Sequence, residues 1–342
     1  MPNETLLDVR DLYVEYLTTR GPVQAVNGVS FTINRGEVFG LAGESGCGKS
    51  TIAHTILRVL RPPALITGGH IYYKGVDVLE LNEAETNQDV SNSVDANGTV
   101  FSCTLESFRW AEISMVFQSA MNSLNPVMRI VDQITDVVMK HQHINQEQAR
   151  KRAEELMAVV NIDKHRLDAY PHELSGGMRQ RAVIAISLAL EPDLLIMDEP
   201  TTALDVVVQK DILQEINRLK TELDFSILFI THDLSLMVEF SDRIGIMYAG
   251  EIVELAPSRE IFNNALHPYT QGLLTSFPSI TGPRKKLTGI PGSPPNLIHP
   301  PTGCRFHPRC QFYDGEEKIA APAMLEVVPG HWVACDCVKQ NR

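Results

Sequence analysis

Residues 43–50 have the types and spacing of a phosphate-binding loop. They read GESGCGKS, which fits the pattern G-x-x-x-x-G-K-S/T, between a short apolar segment and a helical one. Glycines let backbone N–H groups surround an anion, and the N-terminus of the following helix adds positive charge. Lys49 is therefore predicted to reach the outer phosphates of a nucleotide, and Ser50 to bind its Mg²⁺ ion. The candidate nucleotide-binding residues here are Gly43, Ser45, Gly46, Cys47, Gly48, Lys49, Ser50 and Thr51.

Two carboxylates follow a second apolar segment. Residues 194–197 (LLIM) have the composition of a buried strand, and Asp198 and Glu199 come directly after them. Asp198 is predicted to join the Mg²⁺ shell through water, and Glu199 to polarise a water molecule that attacks the terminal phosphate. The two residues could instead simply end a strand at a turn, but the phosphate loop upstream favours the catalytic interpretation.

A third segment, 174–181 (LSGGMRQR), opens a predicted helix. Ser175 is a residue type that caps helices, and Gly176 and Gly177 would let the backbone approach an anion closely. An ordinary helix start is the alternative. Because the segment stands just ahead of the strand that ends in Asp-Glu, it resembles the signature motif of the ABC ATPase family.

Four more residues extend this resemblance. Gln118, in MVFQSAMNSLNP, is similar to the glutamine of the Q-loop, and Asp205, at the end of 203–205 (ALD), to the aspartate of the D-loop. His232, which follows LFIT, is similar to the switch histidine, and Tyr16 to the aromatic residue on which adenine stacks. The motifs come in the order that the family shows.

The resemblance implies an ATP hydrolase that uses ATP and Mg²⁺. Glu199, His232 and Gln118 would be its catalytic residues, with Gln118 and Ser50 also near Mg²⁺. Two such subunits would enclose two ATP molecules, so Ser175 and Gly177 would act on the γ-phosphate bound by the partner. ATP binding would close the dimer, and hydrolysis would reopen it.

The elements that must hold these residues are predicted from apolar spacing. Alternation predicts antiparallel strands around the turn Arg35-Gly36, and continuous apolar runs predict a parallel sheet that is buried on both faces. The predicted strands are 6–16, 28–40, 38–42, 68–74, 194–197 and 226–230, and the predicted helices are 49–60, 146–160 and 176–190.

The resemblance implies an α/β fold: a P-loop NTPase core with an antiparallel β subdomain and an α-helical subdomain at about 119–185. We expect this nucleotide-binding domain to cover 1–256, and a small irregular, proline-rich extension to cover 257–342. Residues 82–105 are polar and show no periodicity, which predicts an exposed, weakly ordered insertion.

Three segments resemble the oligopeptide and dipeptide import branch of the family: MNSLNP, LHPYTQGLL at 266–274 and GCRFHPRC at 303–310. This branch implies import of oligopeptides or dipeptides, with nickel or oligosaccharide import as the alternative. It also implies a second ATP-binding subunit that differs from this one, two transmembrane permease subunits and an extracellular substrate-binding protein. Cargo specificity would belong to those partners.

The resemblance implies a peripheral subunit at the cytoplasmic face of a membrane, and composition limits the other possibilities. Acidic residues outnumber basic ones by 42 to 30, and the net charge of −12 argues against a nucleic-acid partner. No apolar run approaches the ~18–20 residues of a spanning helix, and the N-terminus shows no signal peptide. Non-transport ABC ATPases remain the rival class. The absence of sustained heptads counts against those built on a long coiled coil.

Four cysteines lie within the last forty residues: Cys304, Cys310, Cys335 and Cys337. Clustered cysteines in a reducing compartment suggest a structural metal site, either Zn²⁺ or an iron–sulfur cluster. The resemblance favours a 4Fe–4S cluster, although the cysteine expected near Glu317 is missing. Cys337 could replace that cysteine, as could an aspartate or histidine of the segment, with His307 and His331 as the candidate histidines. Four reduced cysteines without metal are the alternative.

Overall fold

The computed structural model describes residues 4–81, 91–94, 100–118, 123–201, 204–276, 289–313 and 320–337. The chain divides into two compact units. The first comprises Met1–Thr5, Asn34–Glu37 and Glu80–Phe229, and the second Leu6–Ile33, Val38–Leu79 and Ile230–Arg342. Within the described ranges, no helix is both long enough and apolar enough to cross a membrane.

The strands, in chain order, are β1 (Thr5–Thr18), β2 (Gly21–Asn34), β3 (Val38–Ala42), β4 (Ala64–Tyr73), β5 (Val76–Asp77), β6 (Ser91–Val94), β7 (Val100–Cys103), β8 (Ile113–Val116), β9 (Leu194–Asp198), β10 (Ser226–Thr231), β11 (Arg243–Tyr248), β12 (Glu251–Pro257), β13 (Leu325–Val328) and β14 (His331–Val333). The helices are α1 (Lys49–Ile56), α2 (Leu105–Ser107), α3 (Ile130–Gln142), α4 (Gln146–Val159), α5 (Gly176–Ser187), α6 (Val206–Leu223), α7 (Leu234–Phe240), α8 (Ser258–Asn264) and α9 (Pro268–Thr275). Short 3₁₀ turns lie at Val78–Glu80, Lys164–Arg166, Pro171–Glu173 and His307–Arg309, and a π turn at Phe108–Glu112.

An antiparallel sheet in the second unit has the strand order β2-β1-β4-β5. Its register pairs Tyr16 with Ala64, and a bulge between Arg10 and Tyr13 shifts the β1–β4 pairing. The predicted antiparallel pairing around the turn Arg35-Gly36 is wrong, because β3 pairs in parallel with β11 instead. All five residues of β3 are buried, as expected of a strand covered on both faces, whereas β2 keeps several residues partly exposed.

The second unit also contains the strand series β13-β14-β12-β11-β3. Here β14 pairs antiparallel with β12, so that Glu254 faces Val333 and Leu255 faces Trp332. The C-terminal extension was predicted to be irregular, yet it supplies α8, α9 and the hairpin β13–β14. The prolines of this segment interrupt the apolar spacing from which such short elements could be predicted, and the hairpin gains stability from β12, with which it pairs.

The first unit holds β8 and β9 side by side in parallel, with Ile113 opposite Leu194 and every residue of both strands buried. Helices α3, α4 and α5 lie in mutual contact. Asn145 begins α4 by accepting the N–H of Gln148 and donating its own N–H to that side chain. This reciprocal cap fixes the start of the helix where its sequence pattern predicts it.

The polar segment 82–105 is only partly described. Residues 82–90 and 95–99 lie outside the described ranges, so the prediction of weak order stays a prediction there. Ser91–Val94 and Val100–Cys103 pair as an antiparallel hairpin, with Val94 opposite Val100. The prediction of an aperiodic loop is therefore wrong for these eight residues, where valine and phenylalanine favour a strand.

Candidate nucleotide-binding site

Two glycines of the phosphate loop, Gly43 and Gly48, pack closely against other backbone segments. Gly43 has φ +155° and Gly48 has φ +107°, conformations that L side chains rarely adopt. A Cβ atom would lie 2.1 Å from the carbonyl oxygen of Met247 at the first position and 2.2 Å from that of Ala25 at the second. Both glycines are thus required by packing as well as by conformation.

Lys49 begins α1 and lies over the loop. Its Nζ donates to the carbonyl oxygens of Gly43 at 2.8 Å and Glu44 at 2.9 Å, and lies 3.5 Å from the Sγ of Cys47. Burial raises the pKa of the Cys47 thiol, although the Lys49 charge opposes this effect. The loop therefore presents a buried ammonium group and a neutral thiol beside a helix N-terminus, which is an environment suited to an anion.

Tyr16 lies beside the first turn of α1. Its hydroxyl forms a 3.2 Å hydrogen bond with the Oγ1 of Thr51, and its ring is half-buried. The structure thus brings the predicted adenine-stacking residue to the predicted phosphate-binding segment. Stacking itself stays a prediction.

His232, the predicted switch residue, also belongs to the second unit. It is exposed and lies between β10 and α7. The next residue, Asp233, caps α7 by accepting the N–H groups of Ser235 at 2.9 Å and Leu236 at 3.2 Å. The cap fixes the chain that carries His232.

The first unit holds Glu199 and Gln118, which were predicted to be catalytic, and Asp198, which was predicted to join the Mg²⁺ shell. Asp198 ends β9 and is 2% exposed, while Glu199 has φ +46° and turns the chain away from the strand. The Nε2 of Gln118 donates to the Oε2 of Glu199 at 3.1 Å. The structure therefore brings together two of the three residues that were predicted to be catalytic.

The signature segment and the D-loop aspartate meet at two neighbouring helix starts, also in the first unit. Ser175 caps α5 by accepting the N–H of Met178 at 3.3 Å, and Asp205 caps α6 by accepting the N–H of Val208 at 3.0 Å. A Cβ atom on Gly177 would lie 3.1 Å from the Cγ1 of Val208. Glycine lets the two helix starts approach.

Sequence reasoning missed two residues that contact the phosphate loop. Arg309 donates to both carboxylate oxygens of Glu44, at 2.8 and 3.0 Å, and the N–H of Glu44 donates to the Oη of Tyr269 at 2.9 Å. Both residues lie in segments that resemble the peptide-import branch, Tyr269 in 266–274 and Arg309 in 303–310, and this resemblance is the sequence signal that points to them.

The structure does not support the predicted site at Cys304, Cys310, Cys335 and Cys337. Among the described residues, no group of three or more His, Cys, Asp or Glu side chains could hold a metal ion. Cys337 points its thiol to the carbonyl oxygen of Phe312, at 3.8 Å. Burial raises the pKa of the Cys304 and Cys310 thiols.

The two histidines proposed as substitute ligands have other partners. The Nε2 of His331 lies 2.7 Å from a carboxylate oxygen of Glu254, and both side chains are buried. The Nδ1 of His307 lies 2.9 Å from the carbonyl oxygen of Cys304. Neither ring completes a four-ligand set in the part of the chain that is described.

Comparison with protein families gives two matches. Residues 26–202 match the ABC transporter family, and residues 253–316 match the family described as the oligopeptide/dipeptide transporter, C-terminal region. The first match contains the phosphate loop, the signature segment and Asp198-Glu199, and the second contains Tyr269 and Arg309.

Similar proteins include the oligopeptide transport ATP-binding protein OppD of Bacillus subtilis, 42% identical over 96% of this chain and 87% of that protein. The dipeptide transport ATP-binding protein DppD of the same organism is 41% identical over 90% of this chain and 87% of its own length. The oligopeptide transport ATP-binding protein OppD of Escherichia coli is 39% identical over 97% of this chain and 93% of that protein. The similarity is thus nearly end to end.

Solved structures with a similar fold include an ATP-binding cassette and a part of an ABC transporter complex. One is the dimeric post-hydrolysis state of the cassette MJ0796 bound to ADP and Pi, with a TM-score of 0.61, 25% identity, and coverage of 74% of this chain and 99% of that one. Another is cbiO1 of Clostridium perfringens, with a TM-score of 0.58, 25% identity, and coverage of 76% and 92%. Both comparisons support an α/β cassette fold.

Proposed function

Because this chain belongs to the ABC transporter family, we propose that it binds and hydrolyses ATP and thereby powers import of oligopeptides or dipeptides across a membrane. The observation that carries the proposal is the phosphate loop, whose glycines fit against backbone and whose lysine lies over it at the start of α1. The N–H groups and the lysine of that loop are suited to bind the phosphates of a nucleoside triphosphate.

In this proposal the loop N–H groups and Lys49 hold the phosphates. Ser50, Asp198 and Gln118 would hold Mg²⁺, which neutralises charge on the phosphates when bound. Tyr16 would stack on the adenine. The hydrogen bond between Tyr16 and Thr51 supports this role, because it keeps the ring next to the helix that follows the loop.

Hydrolysis would be a phosphoryl transfer to water. The water oxygen attacks the γ-phosphorus, the bond to the bridging oxygen breaks, and ADP leaves. Glu199 accepts a proton of the water, and His232 stabilises the charge on the γ-phosphoryl group as it is transferred from ADP to the water. The contact between Gln118 and Glu199 supports the role of Glu199, since it orients the carboxylate before substrate binds.

A second ATP-binding subunit would complete each site. Ser175 is exposed at the start of α5, and Val206 and Val207, which follow Asp205, are 73% and 70% exposed. Exposed apolar side chains beside the signature and D-loop segments suit a surface that a partner covers. We propose a subunit of different sequence, together with two permease subunits and an external binding protein, at the cytoplasmic face of the membrane.

The cargo assignment rests on the relatives. OppD and DppD are named as oligopeptide and dipeptide transport proteins, and the C-terminal family match is of the same type. Oligosaccharide or nickel import, the alternative from sequence, has no observation in its favour here. The proposal includes no iron–sulfur cluster or zinc ion, because the described residues form no ligand group for one.

The experiment is to express the chain together with candidate permease subunits and a peptide-binding protein from the same organism, and to reconstitute the complex in liposomes. We expect ATP hydrolysis to rise when the binding protein carries a peptide and to stay basal with nickel or an oligosaccharide. Stimulation by nickel or oligosaccharide alone would contradict the peptide assignment. Failure of the chain to associate with any permease would contradict the transport role.

A further inference from the structure

Arg309 and Glu44 form a partly buried ion pair between the C-terminal extension and the phosphate loop: the glutamate side chain is 27% exposed. Nη1 and Nη2 of Arg309 lie 2.8 and 3.0 Å from the two carboxylate oxygens, and the arginine side chain is 4% exposed. Its Nε donates to the carbonyl oxygen of Pro291 at 2.8 Å. A planar guanidinium in two parallel hydrogen bonds fixes the direction of the carboxylate as well as its charge.

Two further contacts link the extension to the same loop. Tyr269 accepts the N–H of Glu44 at 2.9 Å. Arg305 donates to the carbonyl oxygen of Ala249 at 2.6 Å, and the next residue, Gly250, donates its N–H to the carbonyl oxygen of Cys47 at 3.0 Å. The extension therefore contacts the loop directly at Glu44 and supports it indirectly at Cys47, through Ala249 and Gly250.

The negative charge of Glu44 opposes the binding of phosphate, and the ion pair with Arg309 offsets that charge. A carboxylate inside a loop that must accept a polyphosphate repels it at short range, and the repulsion is stronger at a partly buried position than in bulk water. Burial alone would lower the pKa of Arg309, but hydrogen bonds to Glu44 and Tyr248 outweigh this and raise it, so the guanidinium stays charged. Arg309 thus neutralises Glu44 and holds it in one orientation.

We propose that Arg309 is a positioning residue for nucleotide binding, which acts through Glu44 on the phosphate loop. The extension then belongs to the nucleotide site, although it supplies no direct ligand. This inference rests on the proposed binding of ATP. It assigns to the extension a task within the same chain that is separate from any contact with the permease.

The first test measures ATP affinity of the purified full-length chain with a fluorescent ATP analogue. Arg309→Met keeps the aliphatic stem but leaves Glu44 unpaired, so we expect affinity to fall by about tenfold, with Arg309→Lys in between. Turnover of the assembled transporter at saturating ATP should change much less than KM. Arg259→Ala, an exposed arginine at the start of α8, is the matched control and should bind as wild type.

The decisive variant adds Glu44→Gln to Arg309→Met. If Arg309 acts by neutralising Glu44, the double variant should recover most of the lost affinity, whereas a loss caused by poor packing would persist. Wild-type affinity in Arg309→Met, or no recovery in the double variant, would overturn the inference. A wild-type chain that binds no ATP would instead refute the proposed function, so the two failures are distinguishable.

Discussion

At the scale of single residues, Tyr16 tests the adenine side of the site. Replacing it with Ala removes the ring, so we expect ATP binding to weaken by ~1–2 kcal/mol, in line with stacking energies between aromatic side chains and bases. Tyr16→Phe should remain close to wild type, because it loses only the hydrogen bond to Thr51. Titration with a fluorescent ATP analogue measures both. Equal affinity of wild type and Tyr16→Ala would rule out stacking.

His267 makes folding stability depend on pH. Burial lowers its pKa to about 4 from 6.5, although the charge of Glu254 opposes this, and its Nδ1 accepts the N–H of Tyr269. The unfolded chain therefore binds a proton between these values while the native chain does not, so stability present above 6.5 is lost as pH falls toward 4. The shift in pKa corresponds to a loss of at most about 3 kcal/mol in the free energy of unfolding.

The measurement is urea unfolding at several pH values, compared with His267→Gln, which cannot titrate. We expect the difference in free energy of unfolding between wild type and variant to narrow steadily from pH 7 to pH 4. Only the wild type has an imidazole at position 267 that takes up a proton on unfolding, so only the wild type loses this stability. The carboxylates common to both proteins cancel in this difference. A difference that is constant over the range would show that His267 is not held neutral in the native state.

The phosphate loop could be predicted from sequence because its chemistry is local. Gly43 to Ser50 are contiguous, and their residue types follow from the backbone shape that an anion requires. The ion pair of Arg309 and Glu44 joins residues 265 positions apart, and nothing in the spacing of either segment points to the other. Long-range side-chain partners of this kind need a structure.

At the scale of elements, the hairpin β13–β14 should contribute to folding. It pairs with β12, and it brings His331 to the buried Glu254, which also accepts the N–H of Leu266 at 2.7 Å and of His267 at 3.0 Å. Ending the chain before β13 leaves that carboxylate without one partner, so we expect stability to fall by several kcal/mol.

Thermal unfolding of the full chain and of a chain that ends at residue 324 provides the comparison. The matched control ends at residue 337 and retains the whole hairpin, so it should unfold like wild type. If removal of the hairpin leaves the unfolding temperature unchanged, β14 is a passive addition to the sheet.

Prediction of the elements failed where tertiary context overrides local pattern. The segment 28–40 alternates like a hairpin, yet β2 and β3 belong to different pairings because β3 is buried throughout. Helix α1 was extended to residue 60 by its apolar spacing but ends at Ile56, where Arg58 takes a positive φ ahead of Pro62-Pro63. The spacing of apolar residues does not predict where such elements end or which strands they pair with.

At the scale of the whole molecule, the central claim is that this chain hydrolyses ATP with Glu199 as the base. The most direct measurement is phosphate release by the assembled transporter, with wild type and Glu199→Gln compared at saturating ATP. We expect the variant to retain ATP binding and to lose at least about 99% of turnover, since general-base catalysis typically supplies 10²–10⁴-fold. Near-normal phosphate release from Glu199→Gln would contradict the account.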